Sequence, residues 1–205
     1  MKMKRIFSLL LAVVILLSLL SCGGDKNRSY DEAEVKSAAE DLIKKSERLN
    51  EIFWGEGIPY VEEYGYTGYY PADPIYLMKH GFFTVEDLKN DAEKVFSTDY
   101  CISIQTSVFS SSAGDFGMTG YTRYYQGTDT IMVYKKYKPL LTDIVEYDYS
   151  NISVLGSKGE IVIINIPIKV TRGDLSQDRV IKINLIEEND GWRLDSPTYA
   201  SYREE

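Results

Sequence analysis

His80 is the single histidine of this 205-residue chain, so any serine–histidine or cysteine–histidine pair would have to use it. It precedes Gly81 in a stretch that reads as surface loop. Cys101, one of two cysteines, lies where Cys101, Ile104 and Val108 recur at helical spacing, the signature of a small buried hydrophobe rather than a nucleophile. A second possible chemistry is a carboxylate pair of the glycosidase kind, built from Glu62, Glu63 and Asp73 among tyrosines. With 31 acidic residues in the chain, such neighbours arise by chance. Metal and cofactor signals are missing. There is no CxxC or Cys/His cluster, GEG at 55–57 is not a GxGxxG, GSKG at 156–159 reads as a hairpin turn, and DYSN and ENDG lack the EF-hand pattern. No catalytic, cofactor-binding or metal-ligating residue is assigned, and no enzyme is expected.

The other cysteine, Cys22, closes an N-terminal pattern. Lys2, Lys4 and Arg5 precede an apolar run from Ile6 to Leu20, the form of a secretory signal and short for a membrane span. The boundary Leu19-Leu20-Ser21-Cys22-Gly23 resembles a bacterial lipobox, with Leu20 bulkier than usual at its position. The resemblance implies a signal peptide over 1–21, lipidation of Cys22, a linker to residue 30, and an extracytoplasmic location on a bacterial membrane. Several acyl chains hold a protein to a bilayer where one alone does not. The net charge is −8, and without the three basic residues of that leader it is −11. So acidic a chain is unsuited to nucleic acid, whose phosphates need lysine and arginine stripes.

The elements that would position a site fall in a clear order within residues 31–205. Asp31 is an N-cap; Val35, Ala38, Ala39, Leu42, Ser46, Leu49 and Phe53 form a helical stripe, and Gly55 stops it, predicting a helix over 31–54. Thr84 with Asp87 forms a capping box before Val85, Leu88, Ala92, Val95 and Phe96, predicting a helix over 84–97. A third helix is predicted over 99–110, although Ile102 and Ile104 would equally suit a strand. From Tyr121 the period becomes two. A hairpin, a long strand over 142–155, and strands with buried rows Val162–Val170 and Ile181–Leu185 predict one sheet spanning 121–200. Pro167 implies an edge or bulge. Helices followed by an antiparallel meander is an α+β plan, with the N-terminal helices packed on a curved sheet.

Between the first two helices, residues 55–83 hold five glycines, three prolines and six tyrosines without helical period, predicting an ordered irregular segment. Tyr60, Glu62, Glu63, Tyr64, Tyr66, Tyr69 and Tyr70 are the candidate partner-binding residues, since tyrosine joins a flat apolar face to a wet hydroxyl. The alternative is that these rings fill the gap between helices and sheet. Tyr121, Tyr124, Tyr125, Tyr134 and Tyr137 are expected in cross-strand packing.

The closing strands, ending EENDGWRLDSPTY, resemble the cystatin-like and nuclear-transport-factor-2-like cone folds found in secreted lipoproteins. FFTVEDLKNDAEKVFSTDY is similar to a segment of the IseA-like inhibitors of cell-wall DL-endopeptidases. That likeness implies a non-enzymatic domain acting by binding on a cell-wall hydrolase, while the tyrosine-rich patch by itself would suit an envelope peptide or glycan. The cone-fold likeness implies instead a pocket for a small ligand between helices and sheet. No inhibitory residue carries over by position.

Overall fold

The computed structural model describes residues 30–64, 68–110, 121–188 and 190–203. The leader, Cys22, most of the linker, Tyr66 and residues 111–120 lie outside these residues. Helix α1 (Glu32–Trp54) starts where Asp31 accepts the Ala33 N–H at 2.8 Å, with Glu32 and Glu34 complementing the positive helix end. Its predicted stripe is buried except for half-buried Ala38, and Glu40–Lys44 and Asp41–Lys45 pair along the solvent side.

The segment 55–83 is more regular than its composition suggests. It contains a 3-10 turn (Glu62–Tyr64), strand β1 (Tyr69–Pro71) and helix α2 (Pro74–His80). Seven residues are too few to print a stripe, and only Leu77 of α2 is buried; the signals present were Asp73-Pro74 at the start and left-handed Gly81 at the end. His80 is therefore the last residue of a helix, not a loop residue.

Helix α3 spans Val85–Glu93, shorter than expected, with both halves of its capping box formed. Val95 and Phe96 remain buried beyond it because the chain there joins the sheet: Leu194 N–H donates to Val95 O and Ser97 N–H to Leu194 O. Helix α4 (Thr98–Ile104) settles the type of the ambiguous segment and passes into a π-helical turn, Gln105–Phe109.

Two antiparallel sheets replace the single expected one. The first, in order β1-β3-β2, joins β1 to the hairpin β2 (Tyr124–Gln126) and β3 (Ile131–Tyr134). The second is strongly curled. Its strands are β4 (Ile144–Tyr147), β5 (Ser153–Lys158), β6 (Ile161–Arg172), β7 (Leu175–Glu188) and β8 (Gly191–Leu194). β4 and β5 are the expected long strand, interrupted by a 3-10 turn at Tyr149–Asn151, and both pair with β6. Pro167 thus sits in a central strand rather than at an edge. Its carbonyl accepts the Asp148 N–H, so its nitrogen, on the same side, faces the interruption and costs no ladder bond. The inner face carries Val162, Ile164, Ile166, Ile168, Val170, Ile183 and Leu185, all buried, with α1 against β5 and β8.

Two devices tie these layers together. The buried end of α1 needs partners for its last carbonyls. The Tyr124 hydroxyl donates to Ile52 O, Arg123 donates to Phe53 O (2.9 Å) and Gly55 O (2.7 Å), and the Leu140 and Leu141 N–H groups donate to Trp54 O. Arg123 is 3% exposed, and Tyr137 lies 3.8 Å under its guanidinium. Gly57, at φ +86°, leaves the room this requires, because a Cβ there would meet Arg123 Nη2 and the Tyr124 hydroxyl. The second device is the C-terminal segment. Thr198 is buried among Ser46, Asn50 and Tyr147, and Asp143 takes two bonds from Arg172 and one from the Tyr202 N–H.

Arg123→Met would leave the Gly55 carbonyl without its donor and is expected to cost about 3 kcal/mol in urea unfolding. Gly57→Ala should be similarly damaging, through both strain and clash. The Arg172 guanidinium, followed by the Tyr202 N–H, holds the Asp143 carboxyl below its ordinary value against the opposing effect of burial. The resulting stability is present above about pH 4 and is lost as pH falls through the lowered value. Urea midpoints of the unaltered chain and Asp143→Asn should therefore differ at pH 6 and converge in acid.

Candidate functional site

The sheet β1-β3-β2 divides the tyrosines by register. Tyr70, Val133 and Tyr124 are partners on one face, while Tyr69, Tyr134, Met132 and Tyr125 fall on the other. Tyr124 is fully buried, its hydroxyl donating to α1 and accepting from the Ile58 N–H and Arg123 Nε. Burial pushes this phenol well above its ordinary value, so it stays protonated and able to donate.

Tyr69 is the hub of the opposite face. Its hydroxyl donates to Thr122 O at 2.8 Å and accepts the Thr122 N–H at 2.9 Å. Tyr125 meets it edge-on at 4.8 Å, Tyr134 lies at 5.0 Å, and Tyr121 stacks on Tyr134 at 4.8 Å. Tyr69 and Tyr134 are buried beneath, but Tyr121 and Tyr125 are 47% and 39% exposed. The result is a four-ring platform, fixed from below and open above. Such a surface offers flat π faces and phenolic hydroxyls to a sugar ring, a proline or an aromatic side chain.

The other predicted residues form a separate, charged edge. Tyr60 packs on Tyr70 at 5.3 Å, Lys135 sits 5.1 Å over Tyr70, and Glu62 accepts from Lys135 at 2.6 Å. The bond to Glu62 holds the Lys135 ammonium above the ordinary lysine value. Glu63 is exposed, Tyr64 is 72% exposed, and Tyr66 lies outside the described residues. Of the expected patch, then, Tyr60, Glu62 and Tyr70 come together and Tyr69 joins the platform. Tyr121 and Tyr125, expected only to pack, are its exposed part. Their alternation in YTRYY gave a strand but not its register, so which ring would face water could not be read.

The residues weighed for chemistry have other partners. Asp73 caps α2, accepting from the Ile75 and Tyr76 N–H groups, while Glu62 pairs with Lys135. The His80 ring lies on Tyr76 and near Phe82; burial, then Arg48 and Lys79, lower its pKa. Cys101 is buried with its thiol directed at Phe96 O, and burial pushes it up to about 12. Among the described residues no group of three or more His, Cys, Asp or Glu side chains is placed to hold a metal ion, and no helix is long and apolar enough to cross a membrane. The chain matches no protein-family model and no curated protein.

A thiol this buried and this weakly acidic reacts only on unfolding. In a Cys22→Ser background, Cys101 should resist Ellman's reagent at pH 8 in the native protein and react promptly in urea; rapid native labelling would contradict the burial.

Proposed function

We propose that this protein is a non-enzymatic binding domain, tethered by lipid at Cys22 to the outer side of a bacterial membrane, that docks a cell-envelope partner through the tyrosine platform. The observation that carries the docking part is the pairing of exposed Tyr121 and Tyr125 with a buried support of Tyr69 and Tyr134. Rings held in place lose little side-chain entropy on binding, which is why tyrosine is enriched among residues that dominate interfaces. The tether rests on the lipobox-like Leu19–Cys22 sequence, and the IseA-like segment points to a cell-wall DL-endopeptidase as the class of partner restrained. Buried side chains occupy the space between α1 and the inner sheet face, and the pocket left between α1 and β4, beside Glu51, Val145 and Tyr147, is only about 140 Å³, which favours a surface site over a small-ligand pocket.

Two measurements test the two halves. Labelled palmitate should enter the unaltered chain and not Cys22→Ser; absence of label from both defeats the tether. Titrated against purified DL-endopeptidases, the protein without its leader should slow hydrolysis. Tyr121→Ser with Tyr125→Ser should weaken that effect about 10- to 100-fold, whereas exposed Ile102→Ser on α4 should not. Complexes with none of the enzymes would defeat the inhibitor reading.

A further inference from the structure

One edge of the second sheet carries no paired strand along most of its length. β7 pairs with β6 from Leu175 to Ile186 without a bulge, but β8 covers only Leu185–Glu188 on its other side. Past β8 the chain makes one more turn of pairing: Asp195 N–H donates to Asn184 O and the Asn184 N–H to Ser196 Oγ. Pro197 then has no N–H to offer, and Thr198 is drawn under α1 by Ser46 and Asn50. The segment leaves β7, opening a groove of about 490 Å³ between Arg179–Lys182 and the tail residues Ser196, Pro197, Tyr199–Ser201 and Arg203, with Arg179 on the inner face donating to Ser201 O.

The backbone direction along this edge follows from two independent bonds. Asn184 points its N–H and C=O away from β6, so by alternation Lys182, Val180 and Asp178 do so as well. Pro167, opposite Val180, gives its carbonyl to Asp148 on the far side, which makes 167–180 a non-hydrogen-bonded pair and turns Val180 outward again. Among the described residues, the N–H and C=O groups of Asp178, Val180 and Lys182 have no hydrogen-bond partner. A long, regular edge of this kind is a template for another strand, and natural sheets usually disable it with proline, a bulge or a cover.

We propose that this edge binds a second copy of the chain, β7 against β7, antiparallel about a two-fold axis at Val180. Three pairs then form, Val180 with Val180 and Asp178 with Lys182 in both directions, each exchanging two N–H···O bonds. The side chains of all three lie on the outer sheet face. Val180, 59% exposed, meets its symmetry mate, and each Asp178 meets a lysine. The charge row already crossing the sheet, Glu146 opposite Lys169 opposite Asp178, would continue with alternating sign into the second copy. Only this register sets Asp178 against Lys182, since an axis at Arg179 or Ile181 pairs both of them with uncharged residues. Centring the axis on Asp178 or on Lys182 places like charges face to face.

The test uses the full chain in detergent micelles, with Cys22→Ser so that the only other thiol is buried Cys101. Val180→Cys should form a disulfide-linked dimer on mild oxidation, since paired Cα atoms about 5.5 Å apart lie within disulfide reach. Leu155→Cys and Leu175→Cys, equally exposed but off the axis, should not. In the Val180→Cys background, Asp178→Lys alone should cut the dimer yield about tenfold, and Asp178→Lys with Lys182→Asp should restore it to within about threefold. Equal cross-linking at all three cysteine positions, or no rescue by the charge exchange, would overturn the proposal. A fold check separates misfolding from lost pairing: Val180→Pro uses no bond to β6, so it should keep the circular dichroism of the unaltered chain while abolishing dimer in cross-linking through surface lysines.

Discussion

The C-terminal end of α1 is where the rest of the structure is joined. A helix end lowered into a core brings several carbonyls with no intrahelical donor, and each costs free energy if left alone. Here the donors come from one stretch, residues 123–141, through a guanidinium, two phenols and two backbone amides. The positive charge of Arg123 is met by the negative helix end and the face of Tyr137, not by a carboxylate. The same residue binds the chain through its backbone, its N–H to Val108 O and its C=O from the Tyr134 N–H. Helix end, π-helical turn and small sheet thus share one anchor.

That anchor also explains how one residue type serves opposite ends. Tyr124 points into the core because β2 is held against α1 there, and its hydroxyl is used up by Ile52, Ile58 and Arg123. The next residue, Tyr125, must then face the other way. With Tyr69 locked by Thr122, the rings on that side cannot all sink, and Tyr121 and Tyr125 stay at the surface. The docking reading depends on this rigidity, since a mobile cluster of rings would lose on ordering what it gained in contact.

The two sides of the curled sheet are managed differently. On one side β4 and β5 share the β6 edge, with Pro167 aligned to the break between them, so that a residue unable to donate stands where little pairing is needed. On the other side the C-terminal segment begins to cover β7, then is diverted to fill the core at Thr198. Closing the core and covering the edge compete for the same eight or so residues, and the core prevails because buried Asn50 would otherwise lack a partner, while Ser46, which donates to Ile43 O, gains a second bond.

How much of this was legible depends on whether the relevant interaction is local. The caps at Asp31, Thr84–Asp87 and Gly55, the buried rows of β6 and β7, and the α+β plan follow from spacing alone, because capping and the periods of 3.6 and 2 act within a few residues. The short helix α2 and the strand β1 did not show, as each is too brief for a period and β1 exists only by pairing with β3. Nothing local marks Arg123 as the partner of carbonyls some seventy positions earlier, or tells Tyr121 and Tyr125 from Tyr124. Sequence alone determined which segments can be helix or strand and where they stop. Tertiary structure decided which polar groups are buried together and which faces and edges stay open, because those depend on register and on contacts between distant residues that no local pattern encodes.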